Sequence, residues 1–350
     1  MLDRLYRRFH SGINNRLARW QGGRWAHFVR PSLAALLLTK RCNSRCLHCN
    51  LWQVTGPEEN LGLKEWQVVL DDLRNWLGPV HVVLTGGEAL LQPFTPELLR
   101  YGVSRGFFME LLTNGYRNDP ELLKQVALAD PAQITLSVDG VGEAHSKVRG
   151  RNDFWEHTSE AIATLSRLRR DHRLGYKILL KTVIMRQNLG NVAEVARYAR
   201  QEGVELLYQP VEQNYGADED PSWFDHAPTW PEDDEKAVGV VKDILTLKDE
   251  GFPILNSKEQ LEVMIPYFRD PAGSQETVKA HTSHEDQPLC AAVSMLQIEP
   301  DGDVTICSRR SPVGNICDRP ISDIWKSRPH WWRGDGCGIE FFCPCDPRRR

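Results

Sequence analysis

Along residues 33–212, apolar runs of strand length alternate with segments of helical period. The runs 33–38, 80–84, 107–112, 133–138, 177–184 and 205–208 are short and mostly apolar, and polar turn residues bound them, as expected of strands buried on both faces. Between them, Trp66, Val69, Leu70, Leu73, Trp76 and Leu77 fall on one helical face, and so do Phe154, Thr158, Ala161, Ile162, Leu165 and Leu168. Thr95-Pro96-Glu97 and Asp119-Pro120-Glu121 read as helix starts, each a cap followed by proline in the first turn. Strand and helix in alternation predict an α/β fold with a parallel sheet and crossover helices. Six such units leave a barrel open on one side.

The polar residues fall where such a barrel does its chemistry, since carboxyl-terminal strand ends converge on one mouth. Cys42, Cys46 and Cys49 follow the first run as C-x3-C-x2-C. Gly86-Gly87-Glu88 follows the second, Thr113-Asn114-Gly115 the third, and Ser137-Val138-Asp139-Gly140 closes the fourth. Arg186 and Asn188 follow the fifth, and Gln209, Pro210 and Glu212 the sixth. Three thiolates suit three irons of a cubane whose fourth iron stays open to a ligand. They equally suit a zinc knuckle completed by His48, or plain buried thiols. Paired glycines let a ligand approach the backbone, and the Glu88 carboxylate can accept hydrogen bonds from an ammonium group. His145 and Arg149, in a loop after Asp139, read as substrate-facing or, the safer reading, as solvated loop residues.

Composition narrows the class. A chain of 350 residues suits one large domain plus a smaller one. A net charge of −4 favours neither nucleic acid nor a bulk acidic partner. Nine cysteines without a recognisable secretory signal argue for metal use in a reducing compartment, which places the protein in the cytoplasm. Residues 1–30 carry +6, leaving −10 for the rest. There Leu2, Leu5, Phe9, Ile13, Leu17 and Trp20 recur at helical spacing among arginines. That pattern suits a basic amphipathic arm in peripheral contact with a membrane or a helix covering the barrel end.

The succession of cysteine loop, glycine pair, Thr-Asn-Gly and Ser-x-Asp resembles the radical S-adenosylmethionine (radical SAM) superfamily. The resemblance implies a partial (β/α)6 TIM-like barrel over residues 31–212, with a [4Fe–4S] cluster on Cys42, Cys46 and Cys49. It further implies that SAM is reductively cleaved there to a 5′-deoxyadenosyl radical that abstracts hydrogen from substrate. An electron donor such as flavodoxin or ferredoxin would supply the reduction. Gly86, Gly87 and Glu88 would take the methionine amino end of SAM, Ser137 its ribose or carboxylate, and Gln209 its adenine. His48, Asn114 and Asp139 would line the same cofactor site.

Beyond residue 286, Cys290, Gly302 and Cys307 form C-x11-G-x4-C around a hairpin at Asp301-Gly302. With Gly314-Asn315-Ile316 and Cys337, Cys343 and Cys345, residues 286–350 resemble a small SPASM or Twitch auxiliary iron–sulfur domain. That implies an auxiliary [4Fe–4S] cluster on Cys290, Cys307 and two of Cys337, Cys343 and Cys345, with zinc on four thiolates as the alternative. Cys317 is expected to pack as a small buried hydrophobe. Residues 213–285 form an acidic aromatic loop and helical linker, in which the stretch from Glu212 to Lys236 places nine acids beside Tyr215, Trp223, Phe224 and Trp230; it reads as a lid with aromatic walls over the mouth or as a solvated acidic linker. The preferred substrate is a small or lipid-like molecule, suggested by the basic amphipathic arm and the open side of the barrel. The alternatives are maturation of a ribosomally made peptide and a non-catalytic metal-binding or electron-transfer protein.

Overall fold

A computed structural model describes residues 28–54, 60–217, 220, 222–271, 294–307 and 310–329, with Ile13 and Leu17. The six expected strands form as β1 (Leu33–Leu37), β2 (His81–Thr85), β3 (Phe108–Thr113), β4 (Gln133–Ser137), β5 (Lys177–Ile184) and β6 (Glu205–Pro210). All pair in parallel with their sequence neighbours. Alternate positions such as Val82, Leu84, Met109, Leu111, Ile134 and Leu136 are fully buried in the core shared with the helices. That double burial is why the runs lack a polar face.

Helix Leu63–Leu77 buries Trp66, Val69, Leu70, Leu73 and Leu77, with Trp76 at the edge of the stripe. Helix Phe154–Asp171 buries Phe154, Thr158, Ala161, Ile162 and Leu165, with Leu168 at its edge. Asp119 caps its helix as expected, accepting from the Leu122 amide at 2.8 Å. Thr95 does not cap. It is already the first helical residue, and its hydroxyl donates to the Ala89 carbonyl at 2.6 Å, tying the helix to the turn after Glu88.

The carboxyl-terminal hairpin forms at the expected place but is not a separate layer. β7 (Met295–Ile298) pairs in parallel with β1, while β8 (Asp303–Thr305) and β9 (Gly314–Asn315) continue antiparallel. The result is one nine-stranded sheet in the order β6-β5-β4-β3-β2-β1-β7-β8-β9. Gly302 turns the hairpin at φ +88°, a left-handed conformation that glycine adopts without penalty. At the opposite edge, residues 253–256 cover β6. The Leu206 amide donates to Pro253 and the Leu255 amide to Leu206, both at 2.8 Å, and the Asn256 side chain exchanges two bonds with the Tyr208 backbone. An edge so paired offers little to a foreign strand.

Three rings of the acidic segment form a cluster of their own rather than walls for the mouth. Trp223, Phe224 and Trp230 pack on one another and on Tyr267 and Phe268, with ring centroids 5.4–6.2 Å apart. Tyr267 anchors the cluster by donating to the Val211 carbonyl at 2.8 Å. Burial against helix Met264–Arg269 removes these rings from water at home, so they have no need of a substrate. The arm 1–30 lies almost wholly outside the described residues, as do Cys290, Cys337, Cys343 and Cys345. Among the described residues no helix is long and apolar enough to cross a membrane.

Candidate functional site

The loop leaving β1 carries the three cysteines and is held from two sides. On one side the glycine pair of β2 lies under it. The Gly87 amide donates to Thr39 O at 2.8 Å and the Glu88 amide to Arg41 O at 2.9 Å. A Cβ on Gly87 would stand 2.2 Å from Arg41 O, and one on Gly86 2.4 Å from Thr39 O. The space a Cβ would take at those glycines is thus filled by the cysteine loop itself. On the other side stands helix Glu143–Arg149, whose last carbonyls receive the loop. The Arg45 amide donates to Arg149 O at 2.9 Å and the Leu47 amide to Val148 O at 3.1 Å.

Within this frame the thiols lie near one another. Burial pushes the Cys42 thiol up to about 12, with Glu88, Cys46 and Cys49 adding to the effect against one amide bond from Ser44. Burial raises Cys49 as well. Thiols so placed ionise only when a cation compensates them, which is the condition iron provides. Polar donors already face the sulfurs: Ser44 N at 3.4 Å and Asn114 Nδ2 at 3.7 Å from Cys42, and Arg149 Nη1 at 3.4 Å from Cys46. Among the described residues no three His, Cys, Asp or Glu side chains converge as a single metal ion requires. A cubane instead takes each thiolate on its own iron, so the donor set fits the cluster.

Glu88 is 1 % exposed and strapped across two strand ends. Its Oε1 accepts from Leu90 N at 3.0 Å and Thr113 Oγ1 at 2.8 Å, and its Oε2 from Asn114 N at 2.8 Å. Burial raises its pKa against those three bonds. With about four acceptor positions on a carboxylate, one on Oε2 remains. Asn114 continues the line, its Nδ2 donating to Asn43 Oδ1 at 2.7 Å beside Cys42. Ser137 ends β4 opposite Lys181 of β5, and Gln209, buried near the end of β6, pairs in register with Val183.

Asp139 sits behind the cysteine loop. Fully buried, it accepts from Val183 N at 2.9 Å and meets Arg149 Nη2 at 2.7 Å. Burial alone would raise its carboxyl; Arg149, His48 and the Val183 amide outweigh that and hold it below the usual range. His48 also faces this centre. Burial, helped by Arg149 and Lys181, drops it to about 4, and its buried Nδ1 has no hydrogen-bond partner among the described residues. His145 and Arg149 are buried at 0 % and 6 %, not solvated, because 143–149 is a helix and not a loop. The signal was there: Glu143 in a first turn, Arg149 in a last, and Gly150 as a left-handed cap.

Cys307 follows β8. Tyr215 stands near both it and Cys49. The Asn50 amide donates to Tyr215 O at 2.9 Å, and Gln297 Nε2 of β7 donates to its hydroxyl at 2.7 Å. Burial raises that hydroxyl's pKa, and Glu299, Cys49 and Cys307 push it further up. Cys317 is exposed, contrary to expectation: it lies in a surface turn that the Asn315 side chain caps, its Oδ1 accepting from the Cys317 amide at 2.8 Å.

This is the geometry of a barrel whose rim carries three cysteines placed to hold an iron–sulfur cluster. Residues 36–205 match the radical SAM superfamily, and residues 290–333 match SPASM, an iron–sulfur cluster-binding domain. The chain belongs to the radical SAM superfamily and carries a SPASM domain. Its cofactors are accordingly a [4Fe–4S] cluster and SAM, with auxiliary iron–sulfur binding in the SPASM segment. It is 25% identical over 301 residues to Fe-coproporphyrin III synthase of Methanosarcina barkeri, covering 82% of this chain and 72% of that protein. It is 25% identical over 316 residues to PqqA peptide cyclase of Xanthomonas campestris, covering 85% and 74%. The fold is that of Streptococcus suis SuiB, with a TM-score of 0.63 at 15% identity over 86% of this chain. The chain spans slightly less than two thirds of SuiB, 66%, and SuiB is also known bound to the precursor peptide SuiA.

Proposed function

We propose that this chain is a radical SAM maturase that modifies a ribosomally made peptide or protein. The observation that carries the catalytic half is Glu88, a buried carboxylate held by three donors with one acceptor position left, set on the strand end beside the three-thiol loop. That position suits the ammonium of SAM. Cys42, Cys46 and Cys49 hold the cluster, with Asn114, Ser137, Gln209 and His48 around the cofactor and Asp139 behind the loop. When bound, cluster and SAM supply a carbon-centred radical that removes hydrogen from an unactivated position. The residues' part is to fix geometry and exclude water, and the low exposure of Glu88, Asn114 and Gln209 serves that end.

The peptide substrate is supported by the relative named a peptide cyclase, which aligns over most of both chains. It replaces the lipid-like substrate, whose motive was the arm 1–30. The Fe-coproporphyrin III synthase relative supports a second reading, chemistry on a porphyrin substrate. We assign residues 31–212 to the barrel core and 286–350 to the SPASM segment, with Cys290 and Cys307 among the auxiliary ligands.

Anaerobically reconstituted protein, given SAM and dithionite, is expected to yield 5′-deoxyadenosine, and Cys46→Ala to abolish it; no product from the parent protein overturns the enzymatic reading. Iron content near eight per chain supports a second cubane, and about four places none in the tail. Mass spectrometry of a deletion strain then separates the substrates: a peptide that regains hydrogen mass supports the maturase, whereas accumulated porphyrin overturns it.

A further inference from the structure

The helix Glu143–Arg149 does more than brace the cysteine loop. Arg149 is a charged side chain almost removed from water, and its guanidinium divides between two partners of opposite kind. Nη2 meets Asp139 Oδ2 at 2.7 Å, and Nη1 donates to Cys46 Sγ at 3.4 Å. Its own carbonyl accepts from Arg45 N at 2.9 Å and from Ser44 Oγ at 3.1 Å. Side chain and backbone of one residue therefore hold Cys46 and the two residues before it. Gly150 allows the approach: a Cβ there would lie 2.6 Å from Arg45 O. Asp139 is anchored in turn by the Val183 amide at 2.9 Å, and Asn188 Nδ2 donates to its carbonyl at 2.8 Å. The guanidinium has little freedom to swing away.

We propose that Arg149, aimed by Asp139, is a positioning residue that presents a fixed positive charge and an N–H donor to the Cys46 sulfur and so raises the reduction potential of the cluster. Reduction adds one negative charge to the cluster, taken from an external one-electron donor. A buried cation and a hydrogen bond to a ligand sulfur stabilise the reduced form more than the oxidised one. Low local dielectric strengthens that preference. An isolated arginine would not be expected here, since burying one costs several kcal/mol without a partner. Asp139 offsets that cost, and one further N–H is given to the Cys46 sulfur. The inference rests on the cluster lying on Cys42, Cys46 and Cys49.

The test is an EPR-monitored redox titration of reconstituted Arg149→Met and Arg149→Lys beside the parent protein. In Arg149→Met the reduced fraction at a fixed potential on the rising limb is expected to fall about tenfold, a shift of about 59 mV for one electron. Arg149→Lys, which keeps charge but not the fork, is expected to lie between. Full iron content with an unmoved midpoint in Arg149→Met would overturn the proposal and leave a bracing role only. If Arg149→Met holds no iron, the lysine variant decides: restored iron with a lowered midpoint supports the proposal, while no restoration or an unmoved midpoint overturns it. Failure of the parent protein to show any cubane signal would strike the cluster assignment itself, a distinguishable result.

Discussion

Replacing Gly87 with alanine tests whether the glycine pair serves the cysteine loop. The added Cβ would meet three backbone atoms, Arg41 O at 2.2 Å, Arg41 C at 2.6 Å and Lys40 O at 2.6 Å. Relief requires the loop to retreat by about 1 Å, since ordinary Cβ contacts begin near 3.4 Å. Overpacking of this kind costs about 1–3 kcal/mol. Backbone atoms cannot rotate aside as a side chain does, which places it at the upper end. The retreat also stretches Gly87 N to Thr39 O and Glu88 N to Arg41 O, at about 1 kcal/mol each. The expected loss is about 3–5 kcal/mol. For 350 residues at about 2.1 cal/mol/K each, that lowers the melting midpoint by about 4–7 °C. Because Arg41 precedes Cys42, iron retention should fall with it. Scanning calorimetry of cluster-free protein and iron counts after reconstitution measure the two effects. Gly239→Ala is the control: it lies inside helix Asp234–Asp249 with nothing within 4 Å of the new methyl, and should gain about 0.5–1 kcal/mol. A Gly87→Ala protein that melts with the parent and keeps its iron would refute the packing argument.

Three further outcomes follow from neighbouring features. Burial, reinforced by Arg149, lowers the His145 pKa from 6.5 to about 3, so its stabilising contribution is present above pH 6.5 and lost as pH falls towards 3. Between pH 7 and 5 this one group should cost about 2 kcal/mol; a urea series comparing the parent with His145→Gln should show that loss only in the parent, and parallel slopes refute it. Trp230→Ala should cost about 3 kcal/mol yet leave SAM affinity by equilibrium dialysis within about twofold; a tenfold drop would restore the lid. Glu88→Gln turns one accepting oxygen into a donor facing Thr113, Leu90 or Asn114, so it should cost about 1–3 kcal/mol and weaken SAM binding at least tenfold, with unaltered dialysis counting against the ammonium site.

The six barrel strands were legible because burial on both faces leaves an apolar run that no solvated segment imitates, and β5 was read at its observed bounds. The hairpin of β7 and β8 was legible from Asp301-Gly302, but its attachment to β1 was not: strand pairing at that separation leaves no local mark. The site divided in the same way. Cysteine loop and Glu88 show in residue type and spacing, whereas what fills the space beside Gly86 and Gly87 is decided by the loop's backbone path. Arg149 and His145 escaped because charged and imidazole side chains are read as exposed unless a partner is visible, and their partner Asp139 had been given to the cofactor. Cys317 misled for the opposite reason: small thiols usually pack inside, but this one belongs to a surface turn.

The pairing of β1 with β7 has a consequence for synthesis. Ser32 N donates to Ser294 O at 2.8 Å, a contact spanning 262 residues. At roughly 5–20 residues per second of elongation, the flank of β1 waits roughly 13–50 s after emerging from the ribosome before its last neighbour exists. Throughout that interval the strand that delivers Cys42 has an unmatched row of amides and carbonyls, so the nascent barrel is most exposed to misassociation on the side where its metal must later be inserted.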